Sequence, residues 1–370
     1  MSDKPQWAEL FTEVVTSGLC TGCAACVIAC PKDVLEYDRR GTVPFHIADD
    51  GGLDNCTHGE RGCTLCTRAC PRFRNWESEA DHLRHGRDRE ITEVAGIGDV
   101  YLTRATSADE LATGQDGGFV SAILNFLLER GDIDAALVGG LDEVEPWRTA
   151  PAVIRTRDEV EATAGSRYTY SPNLLAYPAA AESGAEKMAV VGMGCMVSAP
   201  AVMAARKTGK TARRLGLTIG LLCSKTFDEE IFDGLFLATY GIRREEIVKM
   251  NIKGVFQLWL ADGRYVEVPL KEAHAFTRSG CKNCPDFAAE HADISAGGIG
   301  AFSDWTLTIV RTELGRTIFN DALAAGVIEV RPGSDDPGAI ALMNKLSTVS
   351  RKRWPEWAQG GPRRIPVTSA

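Results

Sequence analysis

The chain has 370 residues, of which 44% are hydrophobic, so it is long enough to bury a sizeable core and to form about two domains. Its formal net charge of −9 argues against nonspecific nucleic-acid binding, which requires basic side chains that neutralise phosphates. The polar start and the lack of a long apolar run predict neither a signal peptide nor a membrane-spanning helix, so we expect a cytoplasmic protein. Cytoplasmic thiols are kept reduced, and the twelve cysteines therefore indicate metal ligation rather than disulfides.

Eight of these cysteines form two runs within the first 70 residues, and each run ends in Cys-Pro. The first run is Cys20, Cys23, Cys26 and Cys30, and the second is Cys56, Cys63, Cys66 and Cys70. In two-cluster bacterial ferredoxins with this spacing, the cysteine before proline binds the other cluster. We therefore predict one [4Fe–4S] cluster on Cys20, Cys23, Cys26 and Cys70, and a second on Cys56, Cys63, Cys66 and Cys30.

Zinc is the alternative metal for these runs. Zinc sites usually take their ligands as two separated pairs, and two dense runs that each end in Cys-Pro fit that pattern poorly. The long gap between Cys56 and Cys63 departs from the plain ferredoxin spacing, and His58 is the alternative ligand there.

Further along the chain, the residues follow the periodicity of alternating strands and helices. Residues 75–93 are charged and lack a clear apolar face, so we interpret them as a linker or an exposed helix. The predicted strands are 98–103, 134–138, 152–156, 187–191, 217–222, 292–296 and 307–311, with a hairpin across 256–270. The predicted helices are 117–130, a short one after 156, then 196–206, 228–240, 313–325 and 337–349.

This order of elements predicts four segments. Residues 1–75 form a small ferredoxin-like α+β iron–sulfur domain, and residues 76–93 form a linker. Residues 94–345 form an α/β domain, a mixed sheet with flanking helices, and residues 346–370 form a loose tail.

Four more cysteines lie in the second domain. Cys195 and Cys223 each follow a predicted strand, at the sheet edge where α/β proteins bind ligands, and Cys281 and Cys284 form a loop pair. A third [4Fe–4S] cluster is one interpretation. In the alternative, Cys195 and Cys223 are ordinary small apolar residues and the loop pair is free or binds zinc.

Two loops have the composition of ligand-binding segments. Residues 112–119 (ATGQDGGF) lead into a helix, where glycines and free N–H groups favour a bound phosphate, although a plain turn with an N-cap is equally compatible. Residues 165–172 (GSRYTYSP) form a polar, aromatic loop. Because the segment with Gly192 and Gly194 lacks the third glycine of a Rossmann motif, a nicotinamide site is not supported.

These motifs, in this order, resemble the family of beta subunits of coenzyme F-420 (F420) reducing hydrogenase and dehydrogenase. The matching segments are 114–118, 165–168, 190–195, 220–224, 281–287 and 292–295. The resemblance implies an FAD-binding domain with one [4Fe–4S] cluster on Cys195, Cys223, Cys281 and Cys284. It implies FAD contacts from Gly114, Gln115, Gly117, Gly118, Ser121, Ser166, Arg167, Tyr168 and Gly192. Family members commonly carry Thr-Pro before the cysteine of the third segment and Gln after it, where this chain has Met193-Gly194 and Met196.

The function that follows is that of an iron–sulfur flavoprotein oxidoreductase. It would transfer electrons between ferredoxin, or a catalytic partner subunit, and F420, with FAD converting single electrons into a hydride. The alternatives are a ferredoxin-dependent reductase of another organic acceptor, an electron-relay subunit of a larger hydrogenase or dehydrogenase complex, and a zinc-stabilised structural protein. No general acid or base is predicted, His274 and His291 are interpreted as structural, and an oligomer is compatible with the sequence.

Overall fold

The computed structural model describes residues 4–38, 43–47, 54–145 and 147–362. The strands are β1 Leu35–Asp38, β2 Val43–His46, β3 Asp99–Ala105, β4 Ala135–Leu141, β5 Thr149–Ile154, β6 Met188–Met193, β7 Leu217–Leu221, β8 Ile247–Ile252, β9 Val255–Leu260, β10 Tyr265–Pro269, β11 Ile294–Gly297, β12 Thr306–Val310 and β13 Ile328–Pro332. The helices are α1 Trp7–Leu10, α2 Ala25–Ile28, α3 Thr57–Glu60, α4 Leu65–Ala69, α5 Trp76–His85, α6 Ala108–Thr113, α7 Phe119–Arg130, α8 Arg157–Thr163, α9 Tyr177–Glu182, α10 Gly194–Ala205, α11 Lys210–Arg214, α12 Ala238–Tyr240, α13 Leu270–Ala273, α14 Glu313–Ala324 and α15 Pro337–Arg351. Among these described helices, none is both long and apolar enough to cross a membrane.

Eight strands form the main sheet, in the order β13-β3-β12-β11-β7-β6-β4-β5. Strands β4, β6, β7 and β11 run parallel to their neighbours in that set, and the remaining pairs are antiparallel. Parallel strands are covered by helices on both faces, which is why β6 and β7 are apolar and buried along almost their whole length. The mixed sheet with flanking helices confirms the predicted fold class.

A second sheet has three antiparallel strands, in the order β10-β9-β8. The hairpin of β9 and β10 corresponds to the predicted one. Strand β8 is an addition that the sequence analysis missed, because a register shift between Ile247 and Lys249 interrupts the alternation of buried and exposed residues. Strand β13, which pairs with β3 at the edge of the main sheet, was also missed.

The interpretation of residues 75–93 as a linker or an exposed helix was wrong for α5. This helix packs against α10 and buries Trp76, Ala80 and Asp81, which are each at most 2% exposed. Asp81 and Arg89 form a buried ion pair, with Arg89 Nε 2.7 Å from Asp81 Oδ2. Because buried charges that are paired look like surface charges in a sequence, the packed face of α5 could not be recognised.

The predicted loose tail, residues 346–370, also needs correction. Helix α15 continues to Arg351, whose guanidinium lies 2.9 Å from Glu77 and 2.7 Å from Glu290. The ring of Trp354 packs on that of Trp76, with centroids 6.0 Å apart. Residues 363–370 lie outside the described part of the chain.

Candidate functional site

The cysteines come together in three groups, and we number them for reference. Group 1 is Cys20, Cys23, Cys26 and Cys70; group 2 is Cys30, Cys56, Cys63 and Cys66; group 3 is Cys195, Cys223, Cys281 and Cys284.

Group 2 lines a cavity at the N-terminal end of the molecule, together with Trp7 and His58. Cys30 is therefore beside the second cysteine run although it belongs to the first, as the ferredoxin crossover requires. Burial raises the pKa of Cys66 to about 12, and the nearby Cys63, Cys56 and Cys30 contribute to this rise. His58, the alternative ligand considered for this run, also lines the cavity beside Cys56.

Group 1 is more deeply buried. Burial raises the pKa of Cys26 well above its ordinary value, and the neighbouring Cys23, Cys70 and Cys20 add to the effect. Cys66 of group 2 contributes as well, which means that the two groups are neighbours. Burial likewise raises the pKa of Cys20 to about 11.

Group 3 lies at the carboxyl edge of the main sheet. Cys195 is in the first turn of α10 directly after β6, and Cys223 follows the adjacent parallel strand β7. Cys281 and Cys284 come from the segment between β10 and β11, and the four cysteines line one cavity. The Sγ atom of Cys281 accepts a hydrogen bond of 3.4 Å from the backbone N–H of Thr226.

Each group offers thiols as its four ligands, which is the donor set that cubic iron–sulfur clusters take. Within the described ranges, no group of three or more His, Cys, Asp or Glu side chains is arranged to hold a single metal ion. By its four thiols, each group has the donor chemistry that fits a cluster, and the assignment of individual cysteines as ligands stays a prediction.

The glycines of the loop before α7 are needed by the packing of the chain itself. Gly117 and Gly118 have φ angles of +88° and +65°, which favour glycine, and Gly118 is the N-cap of α7. A Cβ atom on Gly114 would lie 2.6 Å from the carbonyl oxygen of Glu110. Ser121 is buried in the first turn of α7. The turn-and-cap interpretation therefore accounts for these glycines, and a bound phosphate at this helix start stays a prediction.

The two loops named by the family resemblance meet at Asn251, a residue of β8 that the sequence analysis did not single out. Asn251 Oδ1 accepts hydrogen bonds from Gln115 Nε2 at 3.0 Å and from the Tyr168 hydroxyl at 3.1 Å. Ser166 is hydrogen-bonded to Tyr168, and Lys253 forms an ion pair of 3.2 Å with Asp116 of the glycine loop. No motif surrounds Asn251 in the sequence, so its role depends on tertiary structure alone.

Arg167 is held by its own loop. Its Nη1 donates to the carbonyl oxygens of Thr163, Ala164 and Gly165. Its Nε is buried without a hydrogen-bond partner among the described residues, and burial lowers the pKa of this guanidinium. A half-buried cation with a buried, unused donor is suited to an anionic ligand.

Gly192, at the end of β6, packs under Met196. A Cβ atom at Gly192 would lie 3.0 Å from the terminal methyl of Met196, one of the positions where this chain departs from the family pattern. Gly194, another departure, leaves space for the carboxylate of Asp286 at the start of α10.

Comparison with protein families explains this combination of a cysteine-rich segment and a mixed sheet. Residues 100–177 match the N-terminal model, and residues 185–336 the C-terminal model, of the coenzyme F420 hydrogenase/dehydrogenase beta subunit. The chain belongs to this family. Residues 19–73 match a 4Fe-4S dicluster domain, so this family member carries both parts in one chain.

Three curated relatives and one solved structure are similar to this family member. The beta subunit of the coenzyme F420 hydrogenase of Methanothermobacter thermautotrophicus is 33% identical over 264 residues, which cover 69% of this chain and 92% of the relative. One subunit of the F(420)H(2) dehydrogenase of Methanosarcina mazei is 28% identical over 350 residues, which cover 92% of each chain. The F420-dependent sulfite reductase of Methanocaldococcus jannaschii is 32% identical over 93% of this chain, which spans 51% of that reductase. A chain of the F420-reducing [NiFe] hydrogenase complex of Methanosarcina barkeri matches with a TM-score of 0.67 and 28% identity, over 70% of this chain and 91% of that one.

Proposed function

We propose that the chain transfers electrons between F420 and a one-electron partner, which is ferredoxin or a catalytic subunit of a larger complex. The carrying observation is the series of three four-cysteine groups, which leads from the N-terminal cavity to the carboxyl edge of the main sheet. In this proposal each group holds one [4Fe–4S] cluster. Serial clusters of this kind form a path for single electrons.

FAD is the proposed link between single electrons and the hydride of F420, because flavins exchange electrons in both forms. The family resemblance supports this cofactor, and so does the convergence of the glycine loop and the Tyr168 loop on Asn251. In this proposal Gln115, Tyr168 and Asn251 hold and orient the flavin. Arg167, with its unused Nε donor, supplies a positive charge for the phosphates.

A second form of the proposal concerns the partner. The similarity to the F420-dependent sulfite reductase extends over 93% of this chain but only 51% of that protein. A part of this size that recurs within a longer reductase is expected to act as the electron-input unit for a separate catalytic part. On this basis we propose that the chain passes electrons to, or takes them from, a partner that carries the substrate-reducing site.

The test uses the full chain prepared without oxygen, with iron, sulfide, zinc and flavin measured before reduced F420 is added. We expect about twelve irons and one flavin, and bleaching of the visible absorbance on mixing. Bleaching requires both the flavin and an F420 site, so iron and flavin without bleaching would turn the proposal toward another electron donor or acceptor. Zinc in place of iron would end it.

A pair of neighbouring variants tests the third cluster. Cys223→Ala removes one thiol of group 3 and should lower the iron content by about four per chain, because a cubic cluster needs its four ligands. Ser224 lines the same cavity, so Ser224→Ala serves as the matched control, with the iron content of the wild type expected. Equal iron in both variants would contradict the third cluster and leave the two N-terminal ones in place.

A further inference from the structure

We propose that Arg72 and Arg278 form a reciprocal pair of buried cations between the cluster of group 1 and the cluster of group 3. The pair raises the reduction potentials of both clusters and defines this gap as the path between the N-terminal clusters and the main domain. This inference rests on the proposed third cluster.

Arg72 comes from the group 1 side of the gap, two residues after Cys70, and reaches group 3. It is 2% exposed, and its Nη2 lies 3.9 Å from the Sγ atom of Cys284. Its guanidinium stacks 4.4 Å over the ring of Trp76, and its Nη1 donates to the carbonyl of Pro71 at 2.6 Å. The Nε of Arg72 is buried and has no hydrogen-bond partner among the described residues.

Arg278 makes the opposite connection. It lies three residues before Cys281 of group 3, is 2% exposed, and donates from Nη2 to the carbonyl of Thr21 at 2.8 Å. Thr21 lies between Cys20 and Cys23 of group 1. The Arg278 guanidinium stacks 3.7 Å over the ring of Tyr170, which lines the group 3 cavity.

The backbones of the two cysteine loops are in direct contact around these arginines. A Cβ atom on Gly280 would lie 2.7 Å from the carbonyl oxygen of Cys20, so only glycine allows this approach. The side-chain amide of Asn283 donates to the carbonyl of Gly18 at 3.0 Å. The loop that carries Cys20 and the loop that carries Cys281 are therefore in contact at two points, one at Gly280 and one at Asn283.

Charge is the physical reason for two arginines at this place. Moving a cation out of water is costly unless a negative charge lies nearby. Arg72 faces the buried carboxylate of Asp286, and both arginines face the cysteine side chains of group 3, which become thiolates when they bind a cluster. A cluster with four thiolate ligands is an anion that gains further negative charge on reduction, and net charge is one of the factors that set its potential. Two adjacent cations stabilise the reduced state, and a shared pair stabilises it on both sides of the gap.

The test is a redox titration of the iron-loaded full chain followed by electron paramagnetic resonance. Cys223→Ala identifies the group 3 signal by its loss. Arg72→Gln and Arg278→Gln should each shift the midpoint potentials of the group 1 and group 3 clusters to more negative values, with the larger shift at the cluster nearest the lost charge. Among the described residues, neither arginine contacts a cysteine of group 2. The cluster of group 2 should therefore keep its wild-type midpoint potential and serve as an internal reference.

Arg311→Gln is the matched control. Arg311 is also buried, but its guanidinium donates to Ser295 Oγ and to the carbonyls of Ile97 and Ala288 rather than facing a cysteine group. All potentials should stay at their wild-type values in this variant.

Comparison of these variants separates charge from packing. Unchanged potentials in Arg72→Gln and Arg278→Gln at full iron content would overturn the inference while leaving the proposed function intact. Should either glutamine variant lose iron, Arg72→Lys and Arg278→Lys decide: wild-type iron and potentials support the role of charge, and loss of the cluster or a shifted potential overturns it. A wild-type protein with only about eight irons would remove the third cluster and, with it, this inference.

Discussion

Arg89 shows how this protein tolerates charges in its interior. It is 1% exposed, and its guanidinium pairs with Asp81 and Glu290, while His291 lies 3.2 Å from Asp81. Burial raises the pKa of Asp81, but hydrogen bonds from Arg89 and His291 more than offset this and hold it well below its ordinary value. The network joins α5 to the loop that follows Cys284, and it therefore holds in place the segment that carries two cysteines of group 3.

Loss of one partner in this network should be costly. Asp81→Asn leaves the buried charge of Arg89 less compensated and should lower the free energy of unfolding by about 3–5 kcal/mol. Thermal unfolding of the iron-loaded protein without oxygen measures this. The pKa of Asp81 is depressed in the folded state, so the ionised carboxylate stabilises the fold above the unfolded pKa of about 3.9, and this stabilisation is lost as the pH falls through the folded pKa. The difference in free energy of unfolding between wild type and Asp81→Asn should therefore become smaller in acid.

Asp262→Asn is the control for that measurement. Asp262 forms an exposed ion pair of 2.6 Å with Arg264, and exposed pairs contribute little to stability because water screens the two charges. A loss of stability in Asp262→Asn as large as that in Asp81→Asn would contradict the explanation by burial.

At the scale of elements, the three-stranded sheet of β8, β9 and β10 contributes more than a surface hairpin would. Its own core includes Phe256, Leu258 and Val268, and Tyr168 packs edge-on against Phe256 with ring centroids 5.2 Å apart. This packing brings Asn251 of β8 against the glycine loop and the Tyr168 loop. The sheet is therefore a part of the flavin site that we propose.

Asn251→Ala tests this role of the sheet. Removal of the amide breaks the hydrogen bonds to Gln115 and Tyr168, so the purified variant should retain less flavin, at unchanged iron content. Flavin per chain after anaerobic gel filtration is the measurement. Tyr265→Phe, which removes hydrogen bonds to Gln257 and Glu267 on β10, the strand of this sheet farthest from β8, should retain the wild-type amount. Equal flavin in both variants would separate Asn251 from the cofactor.

At the scale of the whole molecule, Arg206 connects the cysteine-rich part to the main domain. It lies at the C-terminal end of α10 and donates to the carbonyls of Thr67, Cys70 and Phe73 at 3.0, 3.2 and 2.7 Å. Helix α10 starts at group 3 with Cys195 and ends beside Cys70 of group 1. One helix thus spans the distance between the two parts and contacts both.

Arg206→Met should weaken this connection. Hydrogen bonds to charged donors contribute about 1.5–3 kcal/mol each, so the N-terminal clusters should lose iron faster to a chelator such as bathophenanthroline. Arg213→Met, at an exposed position of α11, should lose iron at the wild-type rate. Identical rates in the two variants would show that Arg206 does not hold the parts together.

Sequence reasoning succeeded where the chemistry is local. Ligand spacing reflects how a short loop wraps one cluster, so the two cysteine runs indicated a dicluster domain, and residues 19–73 match one. Apolar runs of β6 and β7 were long enough to be recognised as buried strands. The prediction for α5 was wrong, because the charged residues on its buried face are paired, and in a sequence they have the composition of a solvent-exposed face.

The sequence by itself determined the fold class, the family and the dicluster domain, because each can be recognised from short motifs, ligand spacing and periodicity. Only the tertiary structure decided that the loop with Cys281 and Cys284 reaches Cys195 and Cys223, because a loop pair carries no periodicity that says which edge of the sheet it meets. It also decided that Arg72 and Arg278 face opposite cysteine groups. A single arginine has no periodicity, and whether it is solvated or buried beside a thiolate depends on what the rest of the chain packs around it.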